Sequence, residues 1–168
     1  SFASPAATKW EEIPYAPMAV VNLGFSQPMR DSLPPGFGYL VPAQEAQAIL
    51  GCTFSHLKFP GRVPTGAYLL RIFAGGPLRS EVVEQDDATL VNHVRGELYQ
   101  HLKLSDSPEV IWIRRYRNAV PLYQPSTRPT IANPWPGLYV AGNGISGVAI
   151  PDCIHGAEQT AERMADAL

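Results

Sequence analysis

At 168 residues the chain is long enough to bury an apolar core. A net charge of −2 and a pI near 6.1 leave no basic footprint, so nucleic acid is not an expected partner. A composition that is 45% hydrophobic and 17% charged excludes a disordered class. Cys52 and Cys153 are too few for a disulfide framework and lack a paired C-x-x-C spacing, which points to a reducing compartment. The sequence shows no run of 18 apolar residues and no basic segment leading into an apolar one.

Residues 1–12 are mostly small and unpatterned and read as a disordered or truncated end. Met18–Phe25 is a β-type run, and Pro34-Pro35-Gly36 forces a turn before a second strand, Phe37–Val41, that Pro42 stops. A helical turn is expected from Glu45 to Leu50. Cys52–Leu57 alternates and Ala67–Phe73 is a longer apolar run, so two strands are expected, joined by the rigid loop Phe59–Pro64 and closed by Gly75 and Gly76. Asp86 or Asp87 can cap a helix that carries Leu90, Val91, Val94, Leu98 and Leu102 on one face, with Lys103 near its negative pole. Val110–Ile113 reads as a strand followed by the basic residues Arg114, Arg115 and Arg117, and 125–136 as loop.

The stretch Gly137–Ile154 reads as a short apolar strand, a glycine-rich turn and a helix start. Gly142, Gly144 and Gly147 spell G-x-G-x-x-G, but a dinucleotide fingerprint needs a helix directly after the turn and a second strand with an acid about 20 residues on. Pro151 interrupts, the helix is expected to begin near Asp152, and the chain ends at Leu168. The ordinary fingerprint is therefore rejected. The last helix places Ile154, Ala157, Ala161, Met164 and Leu168 on one stripe, whose small residues suit close packing. The fold class is α+β: a mixed, largely antiparallel sheet with a flanking amphipathic helix, plus a C-terminal strand–turn–helix.

His56, His93, His101 and His155 have no mutual metal-ligand spacing, so no metal site is assigned. Cys153 and His155, two apart on a helix, face different directions and do not form a thiol nucleophile pair. No catalytic acid, base or nucleophile is named.

The segments Tyr15–Phe25, Gly36–Pro42, Ile49–Phe54 with Phe59–Arg62, Ala119–Tyr123 and Gly137–Gly156 occur in the order found in one family. They resemble the oxygen-dependent, FAD-containing protoporphyrinogen oxidases of haem biosynthesis, within the flavin amine oxidase superfamily. The resemblance runs from Ile13 to the end and matches about the last third of such an enzyme, so a C-terminal fragment is expected, with the N-terminal part of the same chain as its missing partner. It implies that 13–115 belongs to a substrate-binding domain and 116–168 to the C-terminal part of a Rossmann-like FAD-binding domain.

The resemblance also implies site residues. Those matching Val148, Ala149 and Ile150 contact FAD in similar enzymes, Gly142 and Asn143 lie near its phosphate–ribityl portion, and Gly147 belongs to the same turn. A helix N-terminus carries about half a positive charge and unpaired N–H donors, which suits the polar edge of a reduced flavin. Tyr116 stands where related enzymes often place a tryptophan beside the flavin ring, with Pro121 and Tyr123 shaping the next loop. Leu40, Thr53 and Phe73 match positions lining the tetrapyrrole pocket, Thr53 being a departure toward polarity. Arg62, Arg71, Arg79, Arg114, Arg115 and Arg117 are candidate partners for propionates or a solvated rim.

The implied activity is oxidation of protoporphyrinogen IX to protoporphyrin IX with FAD and molecular oxygen. The preference between protoporphyrinogen and coproporphyrinogen is left open, and the isolated chain is expected to hold FAD weakly or not at all. The expected setting is the cytoplasm, with peripheral membrane association and homodimerisation left open. Two alternatives stand beside this: another enzyme of the superfamily, such as an amine oxidase or carotenoid desaturase, and a noncatalytic binding module on the same fold.

Overall fold

The computed structural model describes residues 13–26, 33–122, 137–145 and 147–167. Contacts divide the chain into two compact units, one of residues 17–117 and one of residues 1–16 and 118–168. The described strands are β1 (Tyr15–Phe25), β2 (Gly38–Leu40), β3 (Ile49–Phe54), β4 (Tyr68–Gly75) and β5 (Val110–Pro121), in the sheet order β2-β3-β4-β1-β5. The β2–β3, β3–β4 and β4–β1 pairs are antiparallel. β5 lies beside β1, where the Glu109 N–H donates to the Gly24 carbonyl at 2.9 Å and the Leu122 N–H to the Pro14 carbonyl at 2.8 Å. The architecture is the expected α+β one, with an antiparallel sheet and a flanking helix.

In the unit 17–117, alternation along the strands creates one apolar face. Val21, Leu23, Phe54, Leu70 and Ile72 are wholly buried there against Leu90, Val94 and Leu98 of helix α1 (Asp87–Leu102). Each such side chain contributes on the order of 1.5–3 kcal/mol relative to exposure. Helix α1 starts where the sequence places it. The Asp86 carboxylate accepts the Thr89 N–H at 3.0 Å and the Thr89 hydroxyl at 2.6 Å, which holds its carboxyl below the usual carboxylate range. Lys103 adopts a left-handed conformation (φ 57°) just beyond the last turn, and its Nζ donates to the Gln100 carbonyl at 3.3 Å.

Glu97 is the half-buried exception on α1. Its two carboxylate oxygens accept the Ala48 and Ile49 N–H groups, each at 2.8 Å, and so clamp the helix to the start of β3. This clamp explains why the expected helical turn from Glu45 to Leu50 is absent. A 3-10 turn occupies Ala43–Glu45 instead, Ala46 breaks it with φ 50°, and Ile49 is already extended.

Three further expectations are corrected. The alternating segment Cys52–Leu57 divides, with β3 ending at Phe54 and a single helical turn at Ser55–Lys58. There the His56 ring accepts the Leu69 N–H at 3.3 Å, a contact that alternation does not signal. The strand expected at Val110–Ile113 runs on to Pro121, because its arginines find partners without a turn. Leu138–Ala141 does not form the expected strand, since a ladder needs a paired neighbour and none is recorded beside these residues among those described. The expected loop at 125–136 lies outside the described residues.

In the other unit, helix α2 (Ile150–Ala165) starts two residues earlier than expected. Pro151 occupies its first turn, where a missing N–H costs nothing and a fixed φ suits the helix. The stripe Ile154, Ala157, Ala161 and Met164 is exposed rather than packed, while the buried side is Gly156 and Thr160, with Leu168 outside the described residues. Apolar periodicity marks the wrong face here because small residues make the buried contact. The Thr160 hydroxyl satisfies itself on the Gly156 carbonyl at 2.7 Å. Among the described residues no helix is long and apolar enough to cross a membrane.

Candidate functional site

The face of the sheet opposite α1 gathers residues from four strands. Leu40 is opposite Gly51, Gly51 opposite Phe73, and Phe73 opposite Val20, which makes one cross-strand row. The next row runs Gly38, Thr53, Arg71 and Asn22. These residues alternate with the buried Cys52, Phe54, Leu70, Ile72, Val21 and Leu23, so their side chains share the face that the helix leaves open. The three expected substrate residues, Leu40, Thr53 and Phe73, therefore stand together on that face.

Their local setting follows from the chain. Leu40 is 86% exposed on the three-residue edge strand β2, and it leans across Gly51, where a Cβ would come within 3.0 Å of its Cδ2. Thr53 and Phe73 are half-buried. The result is an apolar row with an aromatic member beside a row of polar side chains.

Tyr116 lies in β5 next to Arg115, whose guanidinium reaches toward α1. It donates to the Val83 carbonyl at 2.9 Å and the Gln85 carbonyl at 2.7 Å, and pairs with Asp87 at 2.6 Å. By alternation Tyr116 points to the opposite face, the one that carries Leu40, Thr53 and Phe73. It is 45% exposed, with the Arg114 guanidinium 5.7 Å from its ring centre.

The remaining arginines are mostly engaged. Arg79 donates to the Ala46 carbonyl and pairs with Glu81 at 2.7 Å, a contact that keeps the Glu81 carboxyl below its ordinary range. Arg117 lies 3.8 Å from Glu84, and Arg62 stacks over Phe59 at 5.4 Å. Arg71 differs. Its Nε donates to the Asn22 Oδ1 at 3.2 Å, and among the described residues no carboxylate pairs with it.

Two ionisable groups on the helix side are shielded from chemistry. Burial pushes the Cys52 thiol up to about 12, so it stays protonated at neutral pH. Burial first, then Cys52 and Glu97, push Tyr39 above the tyrosine range, and its hydroxyl sits 3.0 Å from the His101 ring nitrogen. Among the described residues no three His, Cys, Asp or Glu side chains come together as a metal site.

The glycine-rich turn and the start of α2 form a second cluster, within the other unit. Gly147 has φ 147°, and a Cβ there would fall 2.4 Å from that of Asp152, so only glycine lets Asp152 fold back. The Asp152 Oδ2 then accepts the Ala149 N–H at 3.2 Å. Alanine has no side-chain acceptor to return the bond, so this N-terminus is half-capped. Asn143 bridges to Gly147, while Gly142 (φ 126°) faces space in which a Cβ would meet nothing within 4 Å. Val148 is half-exposed and Ile150 is 77% exposed.

The Ile150 N–H, first in the helix, has no intrahelical acceptor, whereas the Ala149 donor is already used and Pro151 has none. Open backbone at Gly142, an accessible rim and a spare first-turn donor fit the edge of a flat cofactor. The Asp152 carboxylate partly offsets the positive end of the helix, so hydrogen bonding there counts for more than charge. Sequence reasoning did not single out Asp152 for this role, although its place three residues after the cap is the signal of a capping box. Glu97 and Asn22 were also missed, because a polar residue in an apolar pattern does not announce its partner.

Comparison with known proteins places these features in a family. Residues 2–165 match the model for flavin containing amine oxidoreductases. The chain is 28% identical over 171 residues to coproporphyrinogen III oxidase of Bacillus subtilis, covering 98% of this chain and 36% of that protein. It is 28% identical over 166 residues to the chloroplastic protoporphyrinogen oxidase of Nicotiana tabacum, covering 89% of this chain and 30% of that one. A crystal structure from Exiguobacterium sp. 255-15, provisionally named a protoporphyrinogen oxidase, superposes with a TM-score of 0.77 at 25% identity, over 96% of this chain and 37% of that one. The chain thus spans about a third of the length of the curated relatives it matches. With a family match over almost every residue, the chain belongs to the flavin containing amine oxidoreductases.

Proposed function

We propose that this chain is part of an FAD-dependent porphyrinogen oxidase that converts protoporphyrinogen IX to protoporphyrin IX. The balanced reaction consumes three molecules of oxygen and yields three of hydrogen peroxide, removing six hydrogens from the macrocycle. The observation that carries this reading is that Leu40, Thr53 and Phe73 stand together on the sheet face that α1 does not cover, with Tyr116 on the same face at the far edge strand β5. A large, weakly polar macrocycle needs apolar walls, an aromatic surface and few polar anchors, and this face offers them. The names of the relatives, both protoporphyrinogen and coproporphyrinogen oxidases, support the substrate class.

In this reading residues 13–115 serve the substrate and 116–168 complete the flavin-binding part. Gly142, Asn143, Gly147, Val148, Ala149 and Ile150 would border the cofactor, and Tyr116 would be the aromatic wall beside it. A bound FAD would accept the hydride equivalents and pass them to oxygen. The chain's own contribution is positioning: Leu40 and Phe73 exclude water from the macrocycle, and the Ile150 N–H gives a fixed donor at the cofactor's edge. No side chain among these is assigned a proton.

The full-length flavoprotein should generate porphyrin fluorescence from protoporphyrinogen IX and show no turnover with amines or carotenoids. Absence of porphyrin formation from either protoporphyrinogen IX or coproporphyrinogen III would overturn the reading. The ratio of the two rates would set the preferred substrate.

A further inference from the structure

The polar row beside Leu40 and Phe73 contains an unbalanced charge. Arg71 is half-buried, and removing a guanidinium from water without an anion is unfavourable. Its Nε is held by Asn22, which spends one donor of the fork and leaves the two terminal nitrogens for another acceptor. Asn22 is only 8% exposed, and its Nδ2 is buried with no hydrogen-bond partner among the described residues. Thr53, directly opposite Arg71 on β3, adds a hydroxyl that has no hydrogen-bond partner among the described residues. Three donor-bearing side chains from three adjacent strands thus converge on one row, and among the described residues no carboxylate answers them.

Elsewhere in the unit Arg79, Arg115 and Arg117 have acidic partners, Arg62 and Arg114 lie over aromatic rings, and Arg95 on α1 donates to the Ser107 hydroxyl at 3.3 Å. From this convergence of donors we infer that Arg71, aimed by Asn22 and assisted by Thr53, binds a carboxylate of the substrate, one of the propionates at the edge of the tetrapyrrole. The adjoining row of Leu40, Gly51, Phe73 and Val20 lies two residues away along each strand and so on the same face, and a ligand with a flat apolar body and a carboxylate edge matches both rows together. The polar Thr53, which weakens a purely apolar wall, is at home in such an anchor. The assignment rests on the porphyrinogen reading and deepens it.

The test uses the full-length, flavin-loaded protein with protoporphyrin IX and its dimethyl ester as fluorescent probes. Arg71→Met should weaken binding of the free acid about tenfold or more, as expected for a lost charge-assisted pair. It should leave affinity for the ester within about twofold of the unsubstituted protein. Asn22→Asp keeps the shape of the side chain but supplies Arg71 with an internal anion, and it should give the same selective loss with folding preserved. An equal loss for acid and ester, or no loss for either, overturns the anchor while leaving the porphyrinogen reading intact. If the unsubstituted protein binds neither acid nor ester, the porphyrinogen reading itself falls and takes the anchor with it.

Discussion

Residues 70 to 73 of β4 contribute alternately to two faces that obey different rules. Leu70 and Ile72 are wholly buried against the helix side, while Arg71 and Phe73, on the same backbone, are half-buried on the other. On the first face Glu97 answers two backbone donors. Among the described residues, the second keeps an arginine without an acid and a buried amide nitrogen without an acceptor. A face left unsatisfied in this way is poorly suited to stability and well suited to a ligand, because the ligand supplies what the fold withholds.

The largest effect should come from exchanging neighbours across that divide. Ile72→Ala removes a buried side chain from the packed face and should cost about 2–5 kcal/mol of unfolding free energy, read from urea midpoints. Phe73→Ala, one residue along, should cost clearly less stability yet abolish most porphyrin binding. Equal destabilisation by the two would mean that both faces are core, and the comparison would break.

Next in size is the clamp between α1 and β3. Glu97→Ala leaves the Ala48 and Ile49 N–H groups without their acceptor and should cost about 1.5–3 kcal/mol, the range for hydrogen bonds to a charged group. Glu97→Gln, which keeps one acceptor oxygen, should recover part of that loss. If both variants melt like the parent, helix and sheet are held by packing alone.

These residues also show where the sequence is legible. Leu90, Val94 and Leu98 reveal α1 through spacing, and Asp86 reveals its start through local chemistry, since both signals are contained within a few positions. Leu40, Thr53 and Phe73 are far apart in sequence and become one surface only through the register of three strands. No local pattern carries register across connections of different length. The same limit hid Asn22 beside Arg71 and Glu97 beside Ala48, each pair separated by 49 positions. On α2 the limit is different: its apolar stripe does not mark the buried side, whereas Gly156 and Thr160 do.

A smaller effect distinguishes the helix-side face by pH. The Cys52 thiol has an ordinary value of 9.0 and is pushed up to about 12 by burial, so the unfolded chain ionises first as pH rises. The stability associated with the neutral thiol is complete below about pH 9, falls as pH rises above it, and is lost by about pH 12. Relative to Cys52→Ala, the parent should therefore lose urea resistance more steeply over that window. Parallel pH profiles for the two proteins would show that Cys52 is not shielded and that water reaches the packed face.

The smallest effect lies at the start of α1 and has the opposite sign. The carboxyl of Asp86 is held below its ordinary value by the Thr89 hydroxyl first and the Thr89 N–H second. The ionised cap is thus stabilising above the unfolded carboxyl range, and its contribution is lost as pH falls through the lower folded value. Because Asp86 is exposed, solvent screens much of the charge and the hydrogen-bond geometry matters most. Asp86→Asn retains a cap acceptor and should lower the thermal midpoint slightly at neutral pH, while Asp86→Ala should lower it further. As pH falls through the lowered folded value the parent and Asp86→Asn should converge. A midpoint difference that persists unchanged into acid would assign the effect to the shape of the cap rather than its charge. The face that carries Leu40 and Phe73 lies away from Asp86, so porphyrin affinity per folded molecule should be the same in both Asp86 variants.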